Sequence, residues 1–179
     1  MKAVFLDRDG VINVKPPDGK YVTSWLEFKF IRNAARAIKL LNKAEYAVII
    51  VTNQRGVALQ HLTEGQLKTI HKRMVRKLKD YNAHIDGIYY CPHDKDSCDC
   101  RKPSSGLFSL AKNDFPAIDF SKSWVIGDSL SDVEAGRNLG CKTILITKKS
   151  KIDNDKQSLS PHFIAPSLWQ AVNKYLVEN

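Results

Sequence analysis

Long apolar runs are missing from this chain. No stretch approaches the roughly 20 consecutive apolar residues that a membrane-spanning helix needs, so no membrane partner is expected. The first residues, MKAVFLD, meet a charge too soon to form the apolar core of a secretory signal. Both absences lead to the expectation of a cytoplasmic protein. Internal repeats, low-complexity tracts and obvious linkers are lacking too. Residues 1–179 are therefore read as one domain, long enough to bury a real core. No oligomerisation signature stands out, which makes a monomer the expectation. Cysteine is scarce, with four residues, yet Cys91, Cys98 and Cys100 fall close together.

Positive charge, by contrast, is abundant: 28 Lys and Arg face 19 Asp and Glu, for a formal net charge of +9. That balance suits nucleic acid, an acidic membrane surface or small anionic substrates. Much of it lies in LKTIHKRMVRKLKD (67–80) and TKKSK (147–151). In the first run Leu67, Ile70, Met74, Val75 and Leu78 recur at helical spacing, which leaves the basic residues mostly opposite. This is the pattern of an amphipathic helix with a solvated face. No Phe, Tyr or Trp interleaves with the basic residues, so a stacking surface for single strands is not indicated and no nucleic acid is expected.

Five apolar segments read as buried strands: residues 3–7, 46–52, 87–91, 123–128 and 142–147, with a weaker sixth at 162–165. Helical patterns alternate with them at 33–44, from Thr63 onwards, at 131–140 and at 166–176. Thr63 followed by Gln66 is a capping-box signature, and Gly140 suits a helix C-terminus. Continuous β-rich strands separated by helices imply βαβ units, hence an α/β fold: a single doubly wound, mostly parallel, Rossmann-like sheet. In such sheets ligands lie beyond the carboxyl ends of the strands, near the switch point. Polar chemistry collects at those ends: Asp7-Arg8-Asp9-Gly10, Thr52-Asn53-Gln54, a Cys/His cluster leading into Arg101-Lys102-Pro103, and Gly127-Asp128 with Asp132 following.

Two aspartates closing a buried strand are costly unless compensated, by a metal ion or by Arg8. Alone, Asp7 and Asp9 would read as a turn with a local ion pair. In company with the other strand ends they suit phosphoryl chemistry. Asp7 is the candidate nucleophile, since a carboxylate needs no base to activate it near neutral pH. Asp9 is the candidate general acid and then base. Thr52 and Lys102 would hold phosphoryl oxygens, and Gly10 lets the backbone approach them. Magnesium prefers oxygen ligands and few carboxylates. Asp7 and Asp128 would supply side-chain oxygens, and Asp9 its carbonyl. Asp132 either orients Lys102 or a metal-bound water, or caps the helix near 131.

Cys91, His93, Cys98 and Cys100 form two pairs bridged by four residues. Three cysteines and a histidine are a recognised structural zinc set, with no position left open for catalysis. A disulfide and free surface thiols are the alternatives. Cys141 is distant and reads as core.

The ordered motifs DRDGV, VTN, RKP and GDSLSD resemble those of the haloacid dehalogenase superfamily of phosphotransferases across nearly the whole chain. The resemblance implies an aspartyl-phosphate intermediate and magnesium. Where that family often carries threonine after the glycine, Val11 stands here. The segments CPH and CDCRKP resemble the branch of heptose bisphosphate and histidinol-phosphate phosphatases. FLDRDGVIN, IVTNQRG and GIYYCPH resemble the heptose side more closely, whereas the short bridge between cysteine pairs also occurs on the histidinol side. By this resemblance the substrate is a small phosphorylated metabolite. Arg101 would contact its remote part, with Asn53 and Gln54 helping to bind it. Residues 13–32 and a zinc-stapled loop would shape an open site without a large cap. The rivals are a nucleic-acid 3′-phosphatase and a non-enzymatic zinc-loop module that binds nucleic acid through the basic helix.

Overall fold

The computed structural model describes residues 1–148 and 160–177; residues 149–151 of the second basic run lie outside the described residues. Six strands form one sheet: β1 (Ala3–Leu6), β2 (Ala47–Asn53), β3 (Gly87–Cys91), β4 (Trp124–Gly127), β5 (Lys142–Ile146) and β6 (Phe163–Ala165). Their order is β3-β2-β1-β4-β5-β6, and every pairing is parallel. β1, β2 and β4 sit inside the sheet and are almost wholly buried, which explains their unbroken apolar runs.

Helices cover both faces. α1 (Ala34–Lys43), α2 (Glu64–Lys79) and the C-terminal α5 (Leu168–Ala171) pack on one, where Ile38, Leu41, Leu67, Met74 and Leu168 meet Val4, Leu6, Ile50 and Ile126. α3 (Gly106–Asp114) and α4 (Leu130–Asn138) pack on the other, where Phe108 and Ala111 meet Phe5, Ile49 and Val125. The Phe5 and Phe108 rings meet edge-on with centroids 5.1 Å apart. This is the expected doubly wound α/β sheet, with its switch point between β1 and β4.

α2 carries the expected capping box: Thr63 accepts from Gln66 N–H while the Gln66 side chain accepts from Thr63 N–H. Its Leu67, Ile70, Met74 and Leu78 are buried, as their spacing predicts; Val75 is half-buried, and Lys68, Lys72, Arg73, Arg76 and Lys77 are not buried. Gly140 has φ +75°, just past the end of α4. The C-terminal pattern at 166–176 is a short helix that continues as a wider π-type turn over Val172–Leu176. The apolar periodicity predicts no helix between β3 and β4, whereas α3 lies there. Only Leu107, Phe108 and Ala111 of α3 are buried, while Ser109 and Asn113 dilute its stripe.

Residues 14–33 contain no helix and form only an isolated bridge, Asn13 with Phe30. This segment is held by stacked Trp25 and Phe28, with Phe30 edge-on to Phe28. No large cap domain stands over the sheet among the described residues.

Candidate active site

Asp7 follows β1 directly, and its N–H donates to the Ile126 carbonyl of β4 at 2.9 Å, which carries the sheet pairing one residue further. The chain then turns: Ile12 and Asn13 N–H both donate to the Arg8 carbonyl, and Gly10 takes φ +85°. A Cβ on Gly10 would lie 2.3 Å from Asp128 Oδ2, so only glycine lets this turn lie against the end of β4.

The two adjacent acids are compensated differently. Asp7 faces Lys102, whose Nζ lies 3.0 Å from Asp7 Oδ1, 2.6 Å from Asp132 Oδ1 and 2.6 Å from the Val51 carbonyl. Lys102 is only 5% exposed. Burial alone would lower its pKa, but the Asp132 and Asp7 carboxylates hold it well above the ordinary lysine value. For Asp7 burial dominates: it lifts the carboxyl to about 6, with Asp132, Asp9 and Asp128 adding to it and Lys102 opposing.

Asp9 turns the other way. Arg8, fully buried, grips its carboxylate through Nη2, 2.9 Å from Oδ1 and 2.8 Å from Oδ2. Asn13 Nδ2 donates to Oδ1 at 2.8 Å and Gln54 Nε2 to Oδ2 at 2.9 Å. Burial by itself would raise this carboxyl; the Arg8 charge and the three donors outweigh it and bring it below the usual value. Of the two compensators considered from the sequence, Arg8 serves Asp9, whereas the cation that faces Asp7 is Lys102.

Asp7, Asp128 and Asp132 each offer an oxygen within 4.8 Å of the others. The all-oxygen donor set fits a small divalent cation such as magnesium. Burial raises the Asp128 carboxyl, opposed by the Lys15 ammonium 2.8 Å from Oδ2. The Asp9 side chain is not part of this group, so only its carbonyl remains for the ligand role expected of it. Asp132 meets Lys102 and also takes part in capping α4, as the third residue of a capping box. Its Oδ1 meets Lys102, while Oδ2 accepts from Ser129 N–H at 3.1 Å and Ser129 Oγ at 2.8 Å, at the start of α4. The N-cap position itself is Ser129, not Asp132.

Thr52 is buried, and its Oγ1 accepts from Gln54 Nε2 at 3.0 Å. The amides of Asn53 and Gln54 are occupied differently from expectation. Asn53 exchanges two hydrogen bonds with the Lys102 backbone, 3.1 and 3.0 Å, which ties β2 to the lysine-bearing loop. Gln54 holds Asp9 and Thr52. Both residues still line the cavity that opens above Asp7, of about 310 Å³, together with Lys15, Lys20 and Arg101. Arg101 Nη1 is buried and has no hydrogen-bond partner among the described residues.

The four predicted ligands of the second cluster come together. Cys91 Sγ lies 3.5 Å from Cys98 Sγ, Cys98 Sγ 3.2 Å from Cys100 Sγ, and His93 Nδ1 3.2 Å from Cys100 Sγ and 3.7 Å from Cys91 Sγ. Sulfur and nitrogen around one tetrahedral ion, with bonds of 2.0–2.3 Å, must sit roughly 3.4–3.8 Å apart. These separations are close to that and too long for a disulfide. All four cysteines are free, and Cys141 is buried as expected. Asn13, Lys15 and His71 escaped the sequence reading. Asn13 and His71 left a trace, as polar residues at positions patterned apolar; Lys15 left none.

A parallel sheet whose central strands β1 and β4 end in aspartates, with a lysine brought to the same cavity by the loop after β3, defines a class: hydrolases of phosphate esters built on the haloacid dehalogenase fold. Comparison with known proteins agrees. A family model described as HAD-hydrolase-like matches residues 99–171. The D-glycero-beta-D-manno-heptose-1,7-bisphosphate 7-phosphatase of Salmonella typhi is 41% identical over 157 residues, covering 82% of this chain and 81% of the relative. The enzyme of that name from Escherichia coli (strain K12) is 40% identical, covering 82% and 80%. Among solved structures, D,D-heptose 1,7-bisphosphate phosphatase from B. bronchiseptica, complexed with magnesium and phosphate, superposes with a TM-score of 0.83 at 28% identity, covering 96% of each chain. The Burkholderia thailandensis protein gives 0.70 at 29% identity, also over 96% of each. The chain belongs to the haloacid dehalogenase-like phosphatases, in the family of the heptose-1,7-bisphosphate 7-phosphatases.

Proposed function

We propose that this chain removes the 7-phosphate of D-glycero-D-manno-heptose 1,7-bisphosphate through an aspartyl-phosphate on Asp7. The observation that carries the reading is the Lys102 ammonium wedged between Asp7 and Asp132, beside Asp128, under a cavity with cationic walls. Asp7 Oδ attacks phosphorus as the bond to the sugar oxygen breaks, and the Asp9 proton passes to that oxygen. Asp9, now a carboxylate, takes a proton from water, which attacks phosphorus and releases phosphate from Asp7. Arg8 favours the ionised Asp9 that this second step needs. A phosphate dianion nearby opposes ionisation and so favours the acid form that the first step needs. Lys102 and Thr52 hold phosphoryl oxygens. Asp7, Asp128 and the Asp9 carbonyl would hold magnesium, which supplies charge neutralisation at those oxygens.

Arg101, whose Nη1 has no partner among the described residues and which lines the cavity, reads the distal phosphate through its planar fork. Asn53 and Gln54 serve this reading by fixing Lys102 and Asp9. Cys91, His93, Cys98 and Cys100 take a structural zinc, which anchors the loop leading into Arg101 and Lys102. The working protein in this reading is one domain over residues 1–179, monomeric, cytoplasmic and without a nucleic-acid partner. The short bridge of residues 94–97 supports a second substrate, histidinol phosphate.

The test is magnesium-dependent phosphate release from both compounds side by side, with Asp7→Asn as control. A higher kcat/KM for the bisphosphate, abolished in Asp7→Asn, is expected. Preference for histidinol phosphate would move the substrate but keep the chemistry; release from neither, by folded protein with magnesium, would overturn the reading.

A further inference from the structure

We propose that His71 is a positioning residue for the reaction: through Arg8 it fixes the carboxylate of Asp9. The inference rests on the reading of Asp9 as acid and base. His71 sits in the middle of α2, outside the cavity, and is 5% exposed. A histidine on the stripe formed by Leu67, Ile70, Met74 and Leu78 buries polar atoms that an apolar side chain would not. Its Nε2 lies 3.2 Å from Arg8 Nη1. A guanidinium has donors only, so Nε2 is the acceptor, the proton sits on Nδ1 and the ring is neutral.

Arg8 is fully buried, and its donors are divided. Nε and Nη2 turn to Asp9, at 3.3 Å to Oδ1 and 2.8 Å to Oδ2, while Nη1 turns to His71. The plane of the fork is therefore set from two sides, and one of them is a rigid helix. α2 is capped at Thr63, and His71 is flanked by the Tyr90 ring, edge-on at 5.8 Å. The Tyr90 hydroxyl in turn donates to Glu64 in the first turn of α2 at 2.8 Å. Asp9 itself stands in a tight turn beside Gly10, without a helix to steady it. Loss of the acceptor on α2 strands Nη1 and leaves the plane of the guanidinium set from the Asp9 side alone, so the carboxylate keeps Asn13 and Gln54 but loses the fixed orientation of its charged partner. Misplacing a reacting group by about 1 Å costs on the order of a hundredfold in rate.

The test uses leaving-group dependence, which a loss of general stability does not change. A sugar alkoxide leaves poorly and needs the Asp9 proton; 4-nitrophenolate leaves well and needs it far less. His71→Leu should lower kcat/KM for heptose 1,7-bisphosphate by roughly ten- to a hundredfold, with a much smaller loss for 4-nitrophenyl phosphate. His71→Gln, whose Oε1 can stand where Nε2 was, should restore most of the bisphosphate activity. If His71→Leu does not fold, His71→Asn, too short to reach Arg8, takes its place against His71→Gln. Equal losses on the two substrates, or no difference between Gln and the non-accepting variant, would overturn the proposal. Wild-type protein inactive on both substrates would instead overturn the phosphatase reading on which it rests.

Discussion

At the scale of residues, the site is organised by two buried cations that separate two neighbouring acids. Lys102 draws Asp7 toward Asp132 and Asp128, and Arg8 draws Asp9 toward Asn13 and Gln54. The same arrangement fixes the protonation of His71. Burial first, and then the Arg8 charge, push its pKa down to about 3, with Asp9 opposing. The unfolded chain, with a histidine near 6.5, binds a proton that the folded chain refuses between those values. Stability is therefore complete above about pH 6.5 and falls as the pH drops toward 3, by roughly 1.4 kcal/mol per pH unit from this group. Urea unfolding across that range should show a shallower acid loss in His71→Gln than in wild type; identical slopes would mean that His71 is not held neutral. The residues themselves were legible to different degrees. Asp7, Asp9 and Asp128 could be read because they follow apolar strands, Thr52 because it stands at the end of one, and Lys102 because it closes the Cys/His loop that leaves another. His71 could not, because a helical stripe with one imidazole usually reads as core, and its partner Arg8 is distant in sequence.

At the scale of elements, the loop from Cys91 to Pro103 links the sulfur cluster to the active-site lysine. α3 presses on this loop: Gly106 N–H donates to the Asp99 carbonyl, and a Cβ at Gly106 would lie 2.6 Å from that oxygen and 2.9 Å from Cys100 Cα. Both contacts are backbone, so a methyl group there must displace the loop. Metal analysis of wild-type protein purified without added metal should find about one zinc per chain, as a four-ligand site requires, and Gly106→Ala should lower that occupancy and the phosphatase activity together. Full zinc in the variant would mean that the loop absorbs the methyl without moving its ligands. The cluster was legible from composition alone, since three cysteines and a histidine crowd into one short segment. The helix that braces it was not, because its apolar stripe is short and interrupted.

At the scale of the molecule, a parallel sheet with its switch point between β1 and β4 gathers residues from positions 7 to 132 into one cavity. Strand periodicity and strand-end chemistry made this architecture readable. The segment 13–32 was readable only as a shaping loop, since its aromatic stacking follows no periodic pattern. The net charge of +9 belongs partly to the outward face of α2, away from the cavity residues. Charge reversal at Lys72, Arg73 and Arg76 should therefore leave kcat/KM for phosphate release within about twofold, as expected for exposed, salt-screened charges that line no part of the cavity. A collapse of activity would mean that the basic helix takes part in substrate capture.

The central claim is that Asp7 carries the phosphoryl group. The most direct measurement is to mix Asp9→Asn protein with 4-nitrophenyl phosphate and magnesium, quench in acid, and locate the covalent phosphate by peptide mass spectrometry. The good leaving group lets the first step proceed, whereas loss of the base delays hydrolysis. The account predicts phosphate on the peptide containing Asp7, and none when Asp7 is also replaced by asparagine. Phosphate on another residue, or undiminished turnover by Asp7→Asn, would contradict it.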